Sequence, residues 1–518
     1  ITTVSYPTPV ADPRSQSIGG VTSSDAVVET IVHGGIRWYG SPNATLSSNT
    51  ISSAMNVLVK VTGDKKPTWY IQDPLADSPG PRGFHTLEWL SRAWTAEADD
   101  EWSMSNPYAQ MPCNLSDTTT TQACTGQSLV NVSVTMERQL RGSVLVLFGG
   151  VTSQVINGVL SFYLPNTTYF FDYARSVWQR SNSSVSPPVR WAHVSCRRSF
   201  RTLLIFGGTQ SRVPADLNNG MDVPSLGSHL APLNDTWLYD VVDDEWVGPL
   251  DLPAPSAATA CSSCSGRTAP TLGRYLAAST RAGVMWYMYG GVGNGAGDTV
   301  DVLWALDISG LRAATGTSLT GWQYYRLSSQ PSALVSSSWF LLDSTSTNWS
   351  ALSGIAGNVL FPGDYNALSA SPSMLVSCGG FLANDGGGLL DQPFMCLTLD
   401  VINFSFVQRL PTTNARSWRY SPAHLTATDT ALTAKVFTSP ACAVSVGCPI
   451  VGFPSDVATT LFGGFRDFRA TNGVSHFFPG RSLIGHGILT STETQPTPSL
   501  KVSEFATVAM SRVNDTQV

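Results

Sequence analysis

The feature that most constrains this chain is a short pattern met six times: an apolar run of β-forming residues ending in a pair of glycines. The runs are Thr30-Ile31-Val32-His33 before Gly34 and Gly35, Val144 to Phe148 before Gly149 and Gly150, and Leu203 to Phe206 before Gly207 and Gly208. They continue with Trp286 to Tyr289 before Gly290 and Gly291, Leu375 to Cys378 before Gly379 and Gly380, and Thr460 to Phe462 before Gly463 and Gly464. Runs without polar alternation are what strands covered on both faces look like. Their recurrence means that one supersecondary unit is repeated, each copy burying its faces against its neighbours.

Two further signals flank the pair. Upstream stands an Arg followed by an aromatic and a small residue or His: Arg82-Gly83-Phe84-His85, Arg190-Trp191-Ala192-His193, Arg274-Tyr275-Leu276-Ala277 and Arg419-Tyr420-Ser421-Pro422, with Arg14 and Asp364-Tyr365-Asn366-Ala367 as weaker copies. Downstream comes an aromatic strand ending in Asp, then a Trp: Tyr169 to Asp172 with Trp178, Trp237 to Asp240 with Trp246, and Trp304 to Asp307 with Trp322. Met395 to Asp400 with Phe404 continues the series, and Trp69-Tyr70-Ile71 and Glu504-Phe505-Ala506 take its place in the first and last copies.

The stretch from Phe206-Gly207-Gly208 through Asn234-Asp235-Thr236-Trp237-Leu238-Tyr239-Asp240 to Trp246 resembles a kelch repeat, and the likeness is most specific in the second to fourth copies. The resemblance implies an all-β, six-bladed kelch-type β-propeller: four-stranded antiparallel blades around a central channel, the glycine pair ending the second strand, and the Tyr and Trp residues packing between blades. Physical expectation agrees, because Gly permits close backbone approach or φ > 0 and a large aromatic fills the wedge between sheets.

The whole chain, 1–518, then reads as one domain with blades near 11–80, 81–180, 188–248, 272–324, 362–408 and 416–518. An open array would expose an unpaired strand edge. The expected closure is strand exchange: the N-terminal strand, within 1–10 and near Thr2 to Tyr6, completes the sixth blade beside Phe505 to Val513. Long loop insertions are expected at 36–68, 86–140, 209–233, 325–360, 425–458 and 466–500.

Composition bears on the compartment. Charged residues are 13% of the chain, about half of what a soluble domain usually carries. Nine cysteines fall into local pairs, Cys113 with Cys124, Cys261 with Cys264, Cys378 with Cys396 and Cys442 with Cys448, leaving Cys196 as a buried small hydrophobe. Neighbours of this kind staple loops in an oxidising compartment; zinc would want two CxxC knuckles, and only Cys261 to Cys264 qualifies. Asn-x-Ser/Thr sequons stand at Asn43, Asn114, Asn131, Asn166, Asn182, Asn234, Asn348, Asn403 and Asn514. Together these features point to the secretory route and a secreted or cell-surface protein, and Ile1 in place of Met is expected of a chain that has lost a signal peptide. No window holds about eighteen uninterrupted apolar residues, so no membrane-spanning helix is expected. A net charge of −6 without a long basic run argues against nucleic acid as a partner.

Chemistry-bearing motifs are sparse. HExxH, GxSxG and GK[ST] are missing from the sequence. Gly291-Val292-Gly293-Asn294-Gly295-Ala296 fits a relaxed dinucleotide fingerprint but reads as a turn extending the fourth glycine pair. His85 and His193 occupy equivalent positions in adjacent copies, with His424 just beyond that position in the sixth; they read as hydrogen-bonded repeat residues, because a metal needs three or four converging ligands. Copper-radical oxidases built on kelch propellers use a Tyr-His dipeptide, which this sequence, with seven His, does not contain. Asn384-Asp385-Gly386 and Asp99-Asp100-Glu101 lack calcium-loop spacing and read as turn and solvated surface. Trp89, Trp94 and Trp102 read as the core of an inserted loop, with a sugar-stacking platform as the alternative.

The expectation is therefore a non-catalytic glycoprotein without catalytic, cofactor or metal residues. Its loops would hold a protein partner, another copy of itself or another extracellular glycoprotein; a lectin-like propeller and a carbohydrate or alcohol oxidase are the alternatives. Asn166 and Asn234 should share one face with Asn182, Asn348 and Asn43, and any protein contact should use 425–458 or the outer rim.

Overall fold

The computed structural model describes residues 2–7, 26–34, 53, 55–61, 68–72, 77–92, 143–211 apart from 158, 173–176 and 200, and 230–255. It continues with 269–327 apart from 283–284, 295–300, 309–310 and 312–320, then 355–362, 374–382, 396–406 apart from 403, and strand segments between 439 and 492. These form an all-β chain of antiparallel four-stranded sheets, with no helix among the described residues.

The first sheet runs in chain order through β1 (Thr2–Pro7), β2 (Ala26–His33), β3 (Met55–Val61) and β4 (Thr68–Gln72). The second joins β5 (Thr86–Ser91), β6 (Ser143–Phe148), β9 (Thr168–Asp172) and β10 (Val177–Arg180), and the hairpin of β7 (Thr152–Ile156) and β8 (Val159–Tyr163) leaves it just after the glycine pair. The third comprises β11 (Val194–Arg197), β12 (Thr202–Phe206), β13 (Thr236–Asp240) and β14 (Glu245–Val247). The fourth is β15 (Tyr275–Ala282), β16 (Met285–Val292), β17 (Val302–Asp307) and β18 (Gln323–Arg326). In the fifth lie β19 (Ile355–Pro362), β20 (Met374–Leu382), β21 (Cys396–Asp400) and β22 (Ser405–Phe406). The sixth has β23 (Ser439–Cys442), β24 (Thr459–Phe462), β27 (Val474–Phe478) and β28 (Ile488–Thr492), with β25 (Phe465–Arg466) and β26 (Arg469–Ala470) pairing in its second-to-third-strand loop.

The apolar runs are second strands, and in β6, β12 and β16 they are buried on both faces, as their lack of alternation requires: Leu203, Leu204, Ile205 and Phe206 of β12 have no solvent exposure. Third strands are as deeply placed, and Thr236–Asp240 is buried throughout. Between the second and third sheets the core is Val144, Val146 and Phe148 against Leu203, Ile205, Tyr239 and Trp246. Between the third and fourth it is Leu204, Phe206 and Leu238 against Trp286, Met288, Trp304 and Trp322. At about 1.5–3 kcal/mol per fully buried large side chain, these cores are the main force joining sheet to sheet.

Four expectations are corrected. β1 pairs with β2, Thr2 opposite Ile31 and Pro7 opposite Ala26, so the N-terminal strand belongs to the first sheet and does not complete the sixth by strand exchange. The physical reason is local: the first sheet's second strand has a free edge nearby in sequence, and β1 fills it. The first sheet's third strand is β3, inside the expected insertion 36–68, and Trp69-Tyr70-Ile71 lies in its fourth strand. The fifth sheet's first strand is β19, which begins inside the expected insertion 325–360 and ends at Pro362, so Asp364-Tyr365-Asn366-Ala367 is not its Arg-aromatic signal. Strand residues likewise occupy parts of the expected insertions 86–140, 425–458 and 466–500, in β5, β23, β27 and β28.

Candidate functional site

The polar residues of the repeat converge on the seams between successive sheets, at the level of the glycine pairs. In the second and third sheets the pair has two separate reasons to be glycine, and the first of these holds at Gly34 as well. A Cβ on the first glycine would lie 2.4 Å from the Arg82 carbonyl oxygen at Gly34, 2.8 Å from that of Arg190 at Gly149 and 2.4 Å from that of Arg274 at Gly207, always the next sheet's Arg. A Cβ on the second would strike its own sheet's first strand, 2.7 Å from the His85 Cβ at Gly150 and 2.8 Å from the His193 Cβ at Gly208. Both sit at φ > 0 (67° and 88° at Gly149 and Gly150), which glycine alone adopts without strain. The close approach is used: the amide N–H groups of Gly150 and Gly208 donate to the carbonyls of Arg190 and Arg274 at 2.9 and 2.7 Å.

The Arg side chains tie the second strand's end to the third strand's start. Arg82 donates to the carbonyl of Gly149 at 3.0 Å and to the hydroxyl of Thr167 at 3.1 Å. Arg190 donates to the carbonyl of Gly207 and, through two nitrogens, to the carboxylate of Asp235 at 2.8 and 2.7 Å. Asp235 also accepts from Trp237 Nε1 at 2.7 Å. Its carboxyl is held below the ordinary range; burial pushes it up, and the Arg190 and Trp237 hydrogen bonds outweigh that.

Behind the Arg signal the backbone turns left-handed at Phe84, Ala192 and Leu276, with φ between 55° and 56°, and at Gly357 in the fifth sheet, φ 65°. The N–H of Ala192 donates to the carbonyl of Phe84 and the N–H of Leu276 to that of Ala192, so a hydrogen-bond chain runs from sheet to sheet along the inner strands. The next residue occupies a recurring place opposite the first glycine of its own sheet. It is His85 in the second sheet, His193 in the third, Ala277 in the fourth and Asn358 in the fifth, where the register pairs Ala277 with Gly290 and Asn358 with Gly379.

Each of the first three seams is then completed by a Trp in or just before the fourth strand, stacked on the residue that precedes the previous sheet's glycine pair: Trp178 on His33 at 5.2 Å, Trp246 on Phe148 at 4.9 Å and Trp322 on Phe206 at 4.9 Å. Trp246 and Trp322 also donate Nε1 to Thr168 and Thr236 of the previous sheet. Histidine enters at the first two seams. His33 Nδ1 lies 3.4 Å from His85 Nε2, with rings edge to face at 5.3 Å, and His193 Nε2 lies 3.2 Å from the Thr86 hydroxyl. The other ring nitrogens, His33 Nε2, His85 Nδ1 and His193 Nδ1, are buried with no partner among the described residues. Burial lowers the pKa of all three, with Arg82 beside His33 and Arg190 beside His193 acting in the same direction; His33 falls to about 3. Each imidazole is neutral at physiological pH.

The equivalence of His85 and His193 was legible in the sequence. Three other members were not singled out: His33, although it stands where Phe148 and Phe206 stand; Asn358, hidden because Ile355 replaces the Arg; and Glu88. The Glu88 carboxyl, pushed up by burial, accepts from Ser195 at 2.8 Å. Among the described residues no three of His, Cys, Asp or Glu are grouped so as to hold a metal ion, and no helix is long and apolar enough to cross a membrane.

The remaining candidates fall as follows. Trp178, Trp246 and Trp322 are buried between sheets. Cys378 and Cys396 face each other across β20 and β21 as register partners, and Cys442 lies in β23. Cys196 is buried as expected, its thiol pushed up to about 12 by burial. Asn166, Asn182 and Asn234 are exposed, and all three flank the sheet ends that carry the glycine pairs. Ser186 donates to the Asn166 carbonyl at 2.6 Å, bringing the Asn182 loop beside it. Gly291 and Val292 continue β16. Outside the described residues lie Gly35, Gly463, Gly464, Cys113, Cys124, Cys261, Cys264, Cys448, His424, Trp94, Trp102, Asp99 to Glu101, Asn384 to Gly386 and the sequons Asn43, Asn114, Asn131, Asn348, Asn403 and Asn514.

No known family profile matches the chain, and no curated protein does. Among solved structures it is similar to YjhT, at 11% identity and a TM-score of 0.44, over 91% of this chain and 95% of that one.

Proposed function

We propose that the chain is a six-bladed, kelch-type β-propeller of the cell exterior whose work is to hold a protein partner. The observation that supports this most is the use to which the repeat's polar residues are put. Arg82, Arg190, Asp235, the seam histidines and the indole N–H groups of Trp246 and Trp322 bond from strand to strand or sheet to sheet. The interior is a frame, and the segments between strands are left to make contacts. The six four-stranded sheets are the blades. Since β1 belongs to the first of them, closure is by packing of the sixth blade on the first without exchange of strands.

The exposed Asn166, Asn182 and Asn234 mark one end of the ring as the glycan-bearing end. A partner, a second copy or another extracellular glycoprotein, is then held by 425–458 or by the outer rim. Cross-linking and mass analysis of natively purified material, with its oligomeric state, tests the reading. Inter-chain links concentrated at 425–458 or the rim support it, and a partner packed over unglycosylated Asn166 and Asn234 overturns it. A glycan array run on the same material separates a lectin from a protein-holding scaffold.

A further inference from the structure

We propose that His33, His85 and His193 form an acid-sensitive latch at the two seams joining the first three sheets. This rests on those sheets alone and is independent of what the protein holds. Each inner-strand histidine is clamped by glycines of two sheets: the ring of His85 reaches over Gly34 of the first sheet while its Cβ lies against Gly150 of its own, and His193 does the same between Gly149 and Gly208. Both rings are buried, and the ring nitrogens not already paired have no partner among the described residues.

Among the described residues, the groups facing these rings come from three sheets. Around His33 and His85 they are each other, Trp178 of β10 and the Arg82 guanidinium ahead of β5, with His193 also acting on His85. Around His193 they are Thr86, Phe148 and Arg190. Among the described residues the charges acting on the three imidazoles are positive, so a proton taken up there meets like charge in a buried site. A group whose folded pKa is depressed contributes stability that is complete above its unfolded pKa, about 6.5, and is lost as pH falls below that value. The window is therefore mildly acidic, the range in which histidine switches act. Glu88, on the same inner strand as Thr86, works in the opposite sense: its raised pKa favours the fold at low pH and costs stability as pH rises. It does not account for an acid-triggered opening.

The third-to-fourth seam supplies the internal control. Ala277 takes the place of His193 and Phe206 that of His33, in the same backbone geometry, so neither of these two positions titrates there. Native-state hydrogen exchange of the full chain, read peptide by peptide at about pH 7 and about pH 5 and corrected for intrinsic exchange, tests the latch. The expected result is a loss of protection of about tenfold or more in β5 and β11, with β16 and β17 holding theirs. Equal loss in all four strands, or none in β5 and β11, overturns the proposal. His193→Asn should flatten the acid response of β11; a response that survives His193→Asn but disappears with Glu88→Gln also overturns it. If either variant does not fold, the wild-type comparison of strands still decides.

Discussion

The second-to-third and third-to-fourth seams are built on one plan with different chemistry at its centre. In both a Trp stacks at 4.9 Å on a Phe that precedes a glycine pair, and its indole N–H reaches a Thr at the start of a third strand. In both the second glycine's N–H crosses to the next Arg carbonyl. They differ at the inner position, His193 against Ala277, and farther along the inner strands, where Ser195 donates to Glu88 across one seam and Arg281 donates to the carbonyls of Arg197 and Arg198 across the other. The comparison teaches that the frame is set by glycine, aromatic and Arg positions, while the inner position is free to vary and carries whatever conditional behaviour the seam has. The first-to-second seam extends the series, with a second histidine, His33, in place of the Phe.

The largest effect is expected where the two seams are alike. Trp246→Ala and Trp322→Ala each remove a buried indole, and each should cost about 3–5 kcal/mol, measured by denaturant unfolding at neutral pH. Similar losses at both seams are expected; a loss at only one would break the claim of a common plan. Next in size is Arg190→Ala, which strips the Asp235 carboxylate of two hydrogen bonds and the Gly207 carbonyl of one. Asp235 is partly exposed, so water recovers part of the loss, and about 2 kcal/mol is expected from unfolding midpoints. Because Asp235 loses the partner that holds its pKa down, the stability lost should be largest above the carboxylate's ordinary pKa, about 3.9, and should shrink as pH falls through it.

How much of this was readable from sequence depends on whether the information is local. The second strands and their glycine pairs were legible, because burial on both faces, seen in β6, β12 and β16, leaves an unbroken apolar run, and in the second and third sheets the pair must be glycine at both places. The third strands of the second to fifth sheets were legible for the same reason. What escaped was pairing: that Thr2–Pro7 joins Ala26–His33, or that Met55–Val61 lies between β2 and β4, depends on which edge a strand finds. The inner position was legible only where an Arg announces it. At Asn358 the Arg is replaced by Ile355, and only the register with Gly379 reveals the equivalence. His33 escaped because it ends an apolar run, where a histidine looks like the run's boundary; its role is visible only once Trp178 is seen against it.

The smallest effect at neutral pH is the most informative. Ala277→His places an imidazole where His193 stands one sheet earlier, reaching toward Gly207 as His193 reaches toward Gly149. The Ala277 Cβ already lies against Gly291, as that of His193 lies against Gly208, and Ala277 is itself partly exposed, so the longer side chain has an outlet toward solvent. Neutral-pH stability should therefore change by no more than about 1 kcal/mol. In acid the variant should behave differently from the parent, since burial disfavours the imidazolium and the nearby Arg274 adds like charge. Stability should fall below about pH 6.5, at up to about 1.4 kcal/mol per pH unit for the one added group, and hydrogen exchange should place the new opening at β15. If Ala277→His leaves the pH profile of the third-to-fourth seam unchanged while folding normally, the inner position does not govern acid response, and the difference between the seams lies in the sheets themselves.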